Sequence, residues 1–166
     1  MGEMEGIVHI RIDDRFLHGQ VVGMWTNTVK ATRIMVPNDR VAADDMLKKV
    51  LRMAAPAGVK TSIIPVERAA KQILEGRYAG QRVFMVVENP VDILRLMDYG
   101  LPIKHVNVGN IGGREDRIQV KTSLCMSPEE AKMFREMMDR GVEVTSQMVP
   151  AEALTHLSDF MDEKGL

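Results

Sequence analysis

Cysteine, net charge and long apolar runs are all scarce in this sequence of 166 residues. Its one cysteine, Cys125, excludes an intrachain disulfide and leaves a zinc site short of thiolates. Such usage suits a reducing compartment, so a cytoplasmic location is expected. A net charge of −1 provides no broad basic field, and nucleic acid is not an expected partner. No uninterrupted apolar stretch reaches membrane-spanning length. The opening Met1-Gly2-Glu3-Met4-Glu5 is acidic and lacks the basic and apolar segments of a secretion signal. Work at a membrane would therefore require docking on an integral partner. Repeats, low-complexity tracts and long linkers are missing too. No pair of histidines has a metal-ligand spacing, and the sequence calls for no cofactor.

What is present is the balance of an ordinary globular chain, 45% hydrophobic and 27% charged, of a length that suits one domain. Residues 1–6 are expected to form a flexible tail ahead of a single domain spanning 7–166. Strand-like runs fall at Ile7–Ile12, Arg33–Val36, Lys60–Ile64, Arg82–Val87, His105–Val108, Ile118–Lys121 and Val142–Gln147. Helical patterns fill the gaps. Asp44–Ala54 sets Leu47, Val50, Leu51 and Ala54 on one face, and Glu67–Glu75 does the same with Ala70, Ile73 and Leu74. Asn89-Pro90 and Ser127-Pro128-Glu129-Glu130 are helix starts, the second with the residues of a capping box. A terminal helix is expected over Ala151–Asp162, with Leu154, Leu157 and Phe160 facing inward. The alternation predicts an α/β fold: a single layered domain whose mostly parallel central sheet is flanked by helices on both faces. In such folds ligands bind beyond the C-terminal ends of the strands. That rule selects the loops Asp13–His18, Pro37–Val41 and Gly109–Arg114.

The first loop carries the chemistry. Arg11-Ile12-Asp13-Asp14-Arg15-Phe16-Leu17-His18 packs two arginines, two aspartates and a histidine into eight residues, between a strand and a helix beginning near Gly19. A helix N-terminus offers unpaired N–H groups and partial positive charge to an anion. Gly19 lets the backbone come close. A neutral imidazole at His18 is a competent nucleophile toward phosphorus, and Arg11 and Arg15 can neutralise the equatorial oxygens of a phosphoryl group in transit. Asp13 and Asp14 suit fixing the arginine forks and the imidazole tautomer. The same residues would also serve as a solvated salt-bridge cluster of little energetic consequence.

At these residues the sequence resembles the IIB subunits of the mannose/fructose/sorbose family of the bacterial phosphoenolpyruvate-dependent sugar phosphotransferase system. The resemblance rests on Arg11-Ile12-Asp13-Asp14-Arg15, His18-Gly19-Gln20-Val21 and Trp25. It extends through Asn38-Asp39, Ala54-Ala55-Pro56-Ala57-Gly58-Val59, Asn89-Pro90, Gly100-Leu101-Pro102-Ile103 and Asn107-Val108-Gly109. It implies that His18 takes a phosphoryl group from a IIA domain and passes it to a sugar bound by membrane IIC/IID subunits. Arg15, Arg11, Asp13 and Asp14 would surround it, with Gly19, Gln20, Asn38 and Asp39 at the phosphate cleft. Asn110 stands where a further glycine is expected in the Gly109–Gly112 loop.

A carrier must present its histidine to partners, so a shallow site is expected, with Phe16, Leu17 and Asn38 on the docking surface. Trp25 is read as packing the helix after the loop onto the sheet, His9 as a packed histidine on the Arg11 side of the first strand, and Cys125 as a small buried hydrophobe. Two other readings stay open. One is a histidine phosphatase or phosphomutase, which needs arginine directly before the histidine, where this chain has Leu17. The other is a non-catalytic regulatory IIB-like module.

Overall fold

The computed structural model describes residues 4–17 and 19–166. In chain order the elements are β1 (Ile7–Asp13), α1 (Gln20–Val29), β2 (Arg33–Pro37), α2 (Asp39–Ala42), α3 (Asp45–Ala54), β3 (Lys60–Ile64), α4 (Val66–Leu74), β4 (Val83–Val87), α5 (Pro90–Asp98), β5 (His105–Asn110), β6 (Ile118–Lys121), β7 (Leu124–Met126), α6 (Pro128–Asp139), β8 (Glu143–Ser146), β9 (Thr155–His156) and α7 (Leu157–Glu163). The central sheet runs β3-β2-β4-β1-β5-β8-β9. It is parallel except where β9 pairs antiparallel with β8.

Local chemistry sets the helix starts. The side chains of Asn38, Asp44, Asn89 and Ser127 each accept a hydrogen bond from the backbone N–H three residues on. At α6 the Ser127–Glu130 capping box is complete. β4 lies between β2 and β1 and is buried along its whole length, which explains its continuous apolar run.

Two apolar layers sandwich the sheet. On one side Ile10, Ile12, Met35, Val83, Met85, Val87, Val106 and Val108 meet α4, α5, α6 and α7. On the other Ile34, Val36, Phe84 and Val86 meet Val22 and Trp25 of α1 and Leu51 of α3. The alternating side-chain direction of a strand divides β1 between the two faces.

Several expectations need correction. The terminal helix begins at Leu157, not Ala151. Gln147 Nε2 donates to the carbonyls of Pro150 and Glu152, and the Glu152 carboxylate accepts from the Met148 N–H; these bonds turn the chain. Thr155 and His156 then add an edge strand, and Leu154 is exposed. Ile118–Lys121 pairs with Leu124–Met126 as a separate hairpin outside the central sheet. The loop at Pro37–Val41 holds the short helix α2, capped by Asn38. Val50, Ala54 and Leu74, expected on buried faces, are exposed; Leu51, Ala70 and Ile73 carry the burial. Cys125 is half-buried. Met4–Gly6, read as the end of a tail, form a turn: Met4 packs on the core and the Gly6 carbonyl accepts from the Val83 N–H.

Candidate functional site

The site grows from the face of β1 opposite Ile10 and Ile12. His9, Arg11 and Asp13 lie there, His9 and Arg11 under Trp25. The His9 ring stacks on Trp25 with centroids 4.7 Å apart and planes 14° from parallel. Burial, with smaller contributions from His105 and Arg11, lowers the His9 pKa from 6.5 to about 4, so the ring is neutral at pH 7. Arg11 is 1% exposed. Its Nη1 donates to the Gln147 carbonyl at 2.9 Å and its Nη2 to the Met148 carbonyl at 3.0 Å. The same Nη2 reaches Asp13 at 3.3 Å. The guanidinium lies 5.3 Å from the centre of the Trp25 ring, and a Cβ on Gly109 would overlap it. Glycine at 109 is what admits the arginine.

Asp13, 4% exposed, gathers the loop. Its carboxylate accepts from Arg11, from the Arg15 backbone N–H at 3.0 Å, and from Arg15 Nε and Nη2, both at 3.2 Å. The two-pronged contact fixes the Arg15 guanidinium while its side chain stays 38% exposed. Asp14 turns the other way. Its oxygens accept from Asn110 Nδ2 and the Gly112 N–H, both at 2.8 Å, tying the β1 loop to the β5 loop. Asn110, the departure from an expected glycine, is therefore an anchor for Asp14. Phe16 has φ of 57°, a left-handed conformation uncommon for a bulky side chain. The loop reverses there, with the Phe16 N–H on the Asp13 carbonyl at 3.1 Å, and Leu17 turns into the core at 1% exposure. His18 lies outside the described residues. Next to it in the chain, Gly19 is the exposed N-cap of α1 with φ of 83°, and the exposed Gln20 begins the helix.

A cleft of about 480 Å³ opens at the C-terminal edge of the sheet, lined by Asp14, Glu88, Asn89, Gly112, Gly113, Arg114 and Arg117. The Pro37–Val41 loop is tied to it through Glu88, which accepts from Asn38 Nδ2 at 3.0 Å and Arg40 Nη2 at 2.7 Å. Asn38 is 3% exposed and caps α2. Asp39 accepts from the Val66 N–H at 2.9 Å and pairs with Arg95 at 2.9 Å; the Val66 N–H, ahead of Arg95, draws its pKa below the ordinary value. The side chains of Asn38 and Asp39 are thus engaged in shaping this edge of the sheet. Among the described residues no three His, Cys, Asp or Glu side chains gather into a metal-binding group, and no helix is long and apolar enough to cross a membrane.

The family model for the PTS system sorbose subfamily IIB component matches residues 7–166. This chain belongs to that family. It is 38% identical over 150 residues to the PTS system fructose-specific EIIB component of Bacillus subtilis (strain 168), covering 90% of this chain and 92% of that one. It is 33% identical over 153 residues to the mannose-specific EIIAB component of Escherichia coli (strain K12), covering 92% of this chain and 47% of that longer protein. The crystal structure of the IIBSor domain of the sorbose permease from Klebsiella pneumoniae superposes with a TM-score of 0.90 at 31% identity, covering 95% of this chain and 96% of that one.

In this IIB component the structure joins Arg11, Asp13 and Arg15 into one cluster and sets Asp14 on its outer side. Gly19 and Gln20 lie at the exposed start of α1. The docking surface expected from Phe16, Leu17 and Asn38 needs revision, because Leu17 and Asn38 are buried. Met148 and Gln147, whose carbonyls hold Arg11, were not legible as site residues: backbone acceptors leave no mark on side-chain identity. Glu88 did leave a signal, an acid placed directly after the most apolar strand and before a helix cap.

Proposed function

We propose that this IIB component is a phosphocarrier working on the cytoplasmic side of a sugar-uptake complex. A IIA phosphohistidine loses its N–P bond as a new N–P bond forms on His18. That bond then breaks as a sugar hydroxyl, held by IIC/IID subunits, forms an O–P bond, and the proton the hydroxyl loses is balanced by the one the freed His18 imidazole takes up. Arg15 would meet the equatorial oxygens through its exposed edge, the start of α1 would add N–H groups, and Arg11 would act through Asp13 without touching the phosphate. The observation that most supports this reading is the clamp of Asp13 on Arg15, which presents a fixed, partly exposed guanidinium three residues before His18. The names of the relatives, fructose-, mannose- and sorbose-specific, point to a hexose acceptor, and the EIIAB name suits a IIA donor.

The test is phosphorylation by phosphoenolpyruvate, enzyme I, HPr and IIA. Wild type should acquire an acid-labile, base-stable phosphate, and His18→Ala should acquire none. Arg15→Ala should accept about 10²–10³-fold more slowly. Equal labelling of His18→Ala would overturn the assignment. An unlabelled wild type beside phosphorylated cognate IIA would favour the regulatory reading.

A further inference from the structure

The turn at residues 147–152 touches the active loop through its backbone, and something must hold that turn. Met148 is its centre. Its carbonyl accepts from Arg11 Nη2 and from Trp25 Nε1, each at 3.0 Å, and its sulfur lies 3.8 Å from Arg11 Nη2 and 3.9 Å from Arg15 Nη2. From the other side the Met148 N–H donates to the Glu152 carboxylate. The second Glu152 oxygen accepts from Lys121 Nζ at 2.7 Å, and Lys121 also donates to Ser146 Oγ at 3.0 Å. Lys121 ends β6 of the separate hairpin, and its ammonium lies 4.9 Å from the centre of the Phe160 ring. Burial alone would raise the Glu152 pKa; Lys121 and the N–H groups of Met148 and Val149 outweigh it and hold the carboxylate ionised.

We infer that Lys121 and Glu152 are positioning residues for phosphoryl transfer: a latch through which the β6–β7 hairpin sets Met148, and Met148 sets Arg11 and Arg15. The functional half of this inference rests on the phosphocarrier reading; the structural half does not. Transfer between partners demands an in-line geometry, and a displacement near 1 Å lowers such rates about 10²-fold. A latch that acts through Arg11 and Arg15 should therefore change the maximal rate and leave donor affinity alone.

The chain's single tryptophan reports the latch directly, since Trp25 shares its acceptor with Arg11. In Glu152→Ala the indole N–H resonance should shift and its exchange with water should quicken roughly fivefold or more. The maximal rate of His18 phosphorylation should fall about 10- to 100-fold at unchanged KM for phospho-IIA. Glu152→Gln keeps an acceptor for the Met148 N–H but turns its NH₂ toward Lys121, and should recover part of both properties. The exchanged pair Lys121→Glu with Glu152→Lys restores opposite charges but has no acceptor at 152, and should recover neither. If Glu152→Ala does not fold, the comparison of Glu152→Gln with the exchanged pair decides. A wild-type indole signal in Glu152→Ala, a loss confined to KM, or recovery by the exchanged pair would each overturn the latch. If wild type accepts no phosphate, the carrier reading fails while the indole signal still tests the linkage.

Discussion

The two faces of β1 are built on different principles. Ile10 and Ile12 enter a layer of carbon, between Val83, Met85 and Val87 on one side and Val106 and Val108 on the other. Such contacts are non-directional, and a changed methyl group is partly absorbed by its neighbours. Arg11 and Asp13 face the opposite way and are nearly as well buried, but their partners there are specific atoms, while the half-buried His9 stacks on Trp25. A low-dielectric polar layer is strong when complete and unforgiving when one member is missing. The loop that bears His18 grows out of the second face, so its geometry inherits that layer's exactness and its vulnerability.

The largest contrast should come from neighbouring positions. Arg11→Met removes a buried cation, leaves Asp13 with Arg15 as its remaining ion-pair partner and takes one donor each from the Gln147 and Met148 carbonyls, which keep Asn107 and Trp25. It should destabilise by about 3–5 kcal/mol. Ile12→Val, one residue on and equally buried, should lower stability by about 1 kcal/mol. Urea unfolding of both at pH 7 measures the difference. Equal losses would mean that Arg11 is replaceable by packing and that the polar layer gives the loop no special support.

Acid should attack the same face next. The folded state holds the His9 pKa at about 4, against 6.5 in the unfolded chain. The shift is downward, so its contribution is fully present above pH 6.5 and is lost as pH falls from there toward 4, because the unfolded state takes up the proton first. The loss should reach roughly 3 kcal/mol. His9→Phe can keep the stack on Trp25 and removes the titration, so its stability should fall less over that window. Parallel curves for the two proteins between pH 7 and 4 would show that His9 is not held neutral by burial.

Much of this was legible in the sequence, for identifiable reasons. Period and capping residues define most strands and helices, and the arginine–aspartate–histidine loop stands out by its composition. The alternation Ile10-Arg11-Ile12-Asp13 is where pattern reading stops. Alternation normally means one buried and one solvated face, yet both faces are covered here because α1 lies over the polar one. Nothing local reveals that Arg11 is paired with carbonyls 136 and 137 residues away. The turn before α7 was hidden for a related reason: Ala151, Leu154 and Leu157 suit a helix, and the bonds of Glu152 and Gln147 that break it join a carboxylate and an amide to nearby backbone.

The smallest effect should come from the second aspartate, and it sharpens the comparison most. Asp13 and Asp14 are adjacent and chemically identical, but one belongs to the buried layer and the other to the loop rim. Asp13→Asn weakens a carboxylate that serves two guanidinium groups, so both Arg11 and Arg15 lose charge pairing. Asp14→Asn keeps one amide oxygen for the Gly112 N–H. Its new NH₂ would meet the Asn110 NH₂ that now donates to Asp14, and rotation of the Asn110 amide would turn that clash into a hydrogen bond. The loss at Asp14 should be about 1 kcal/mol, with a mild slowing of His18 phosphorylation, whereas Asp13→Asn should slow it severely. Should the two substitutions prove equally damaging, the tie from Asp14 to the β5 loop would matter as much as the buried cluster, and the active loop would be held from both sides.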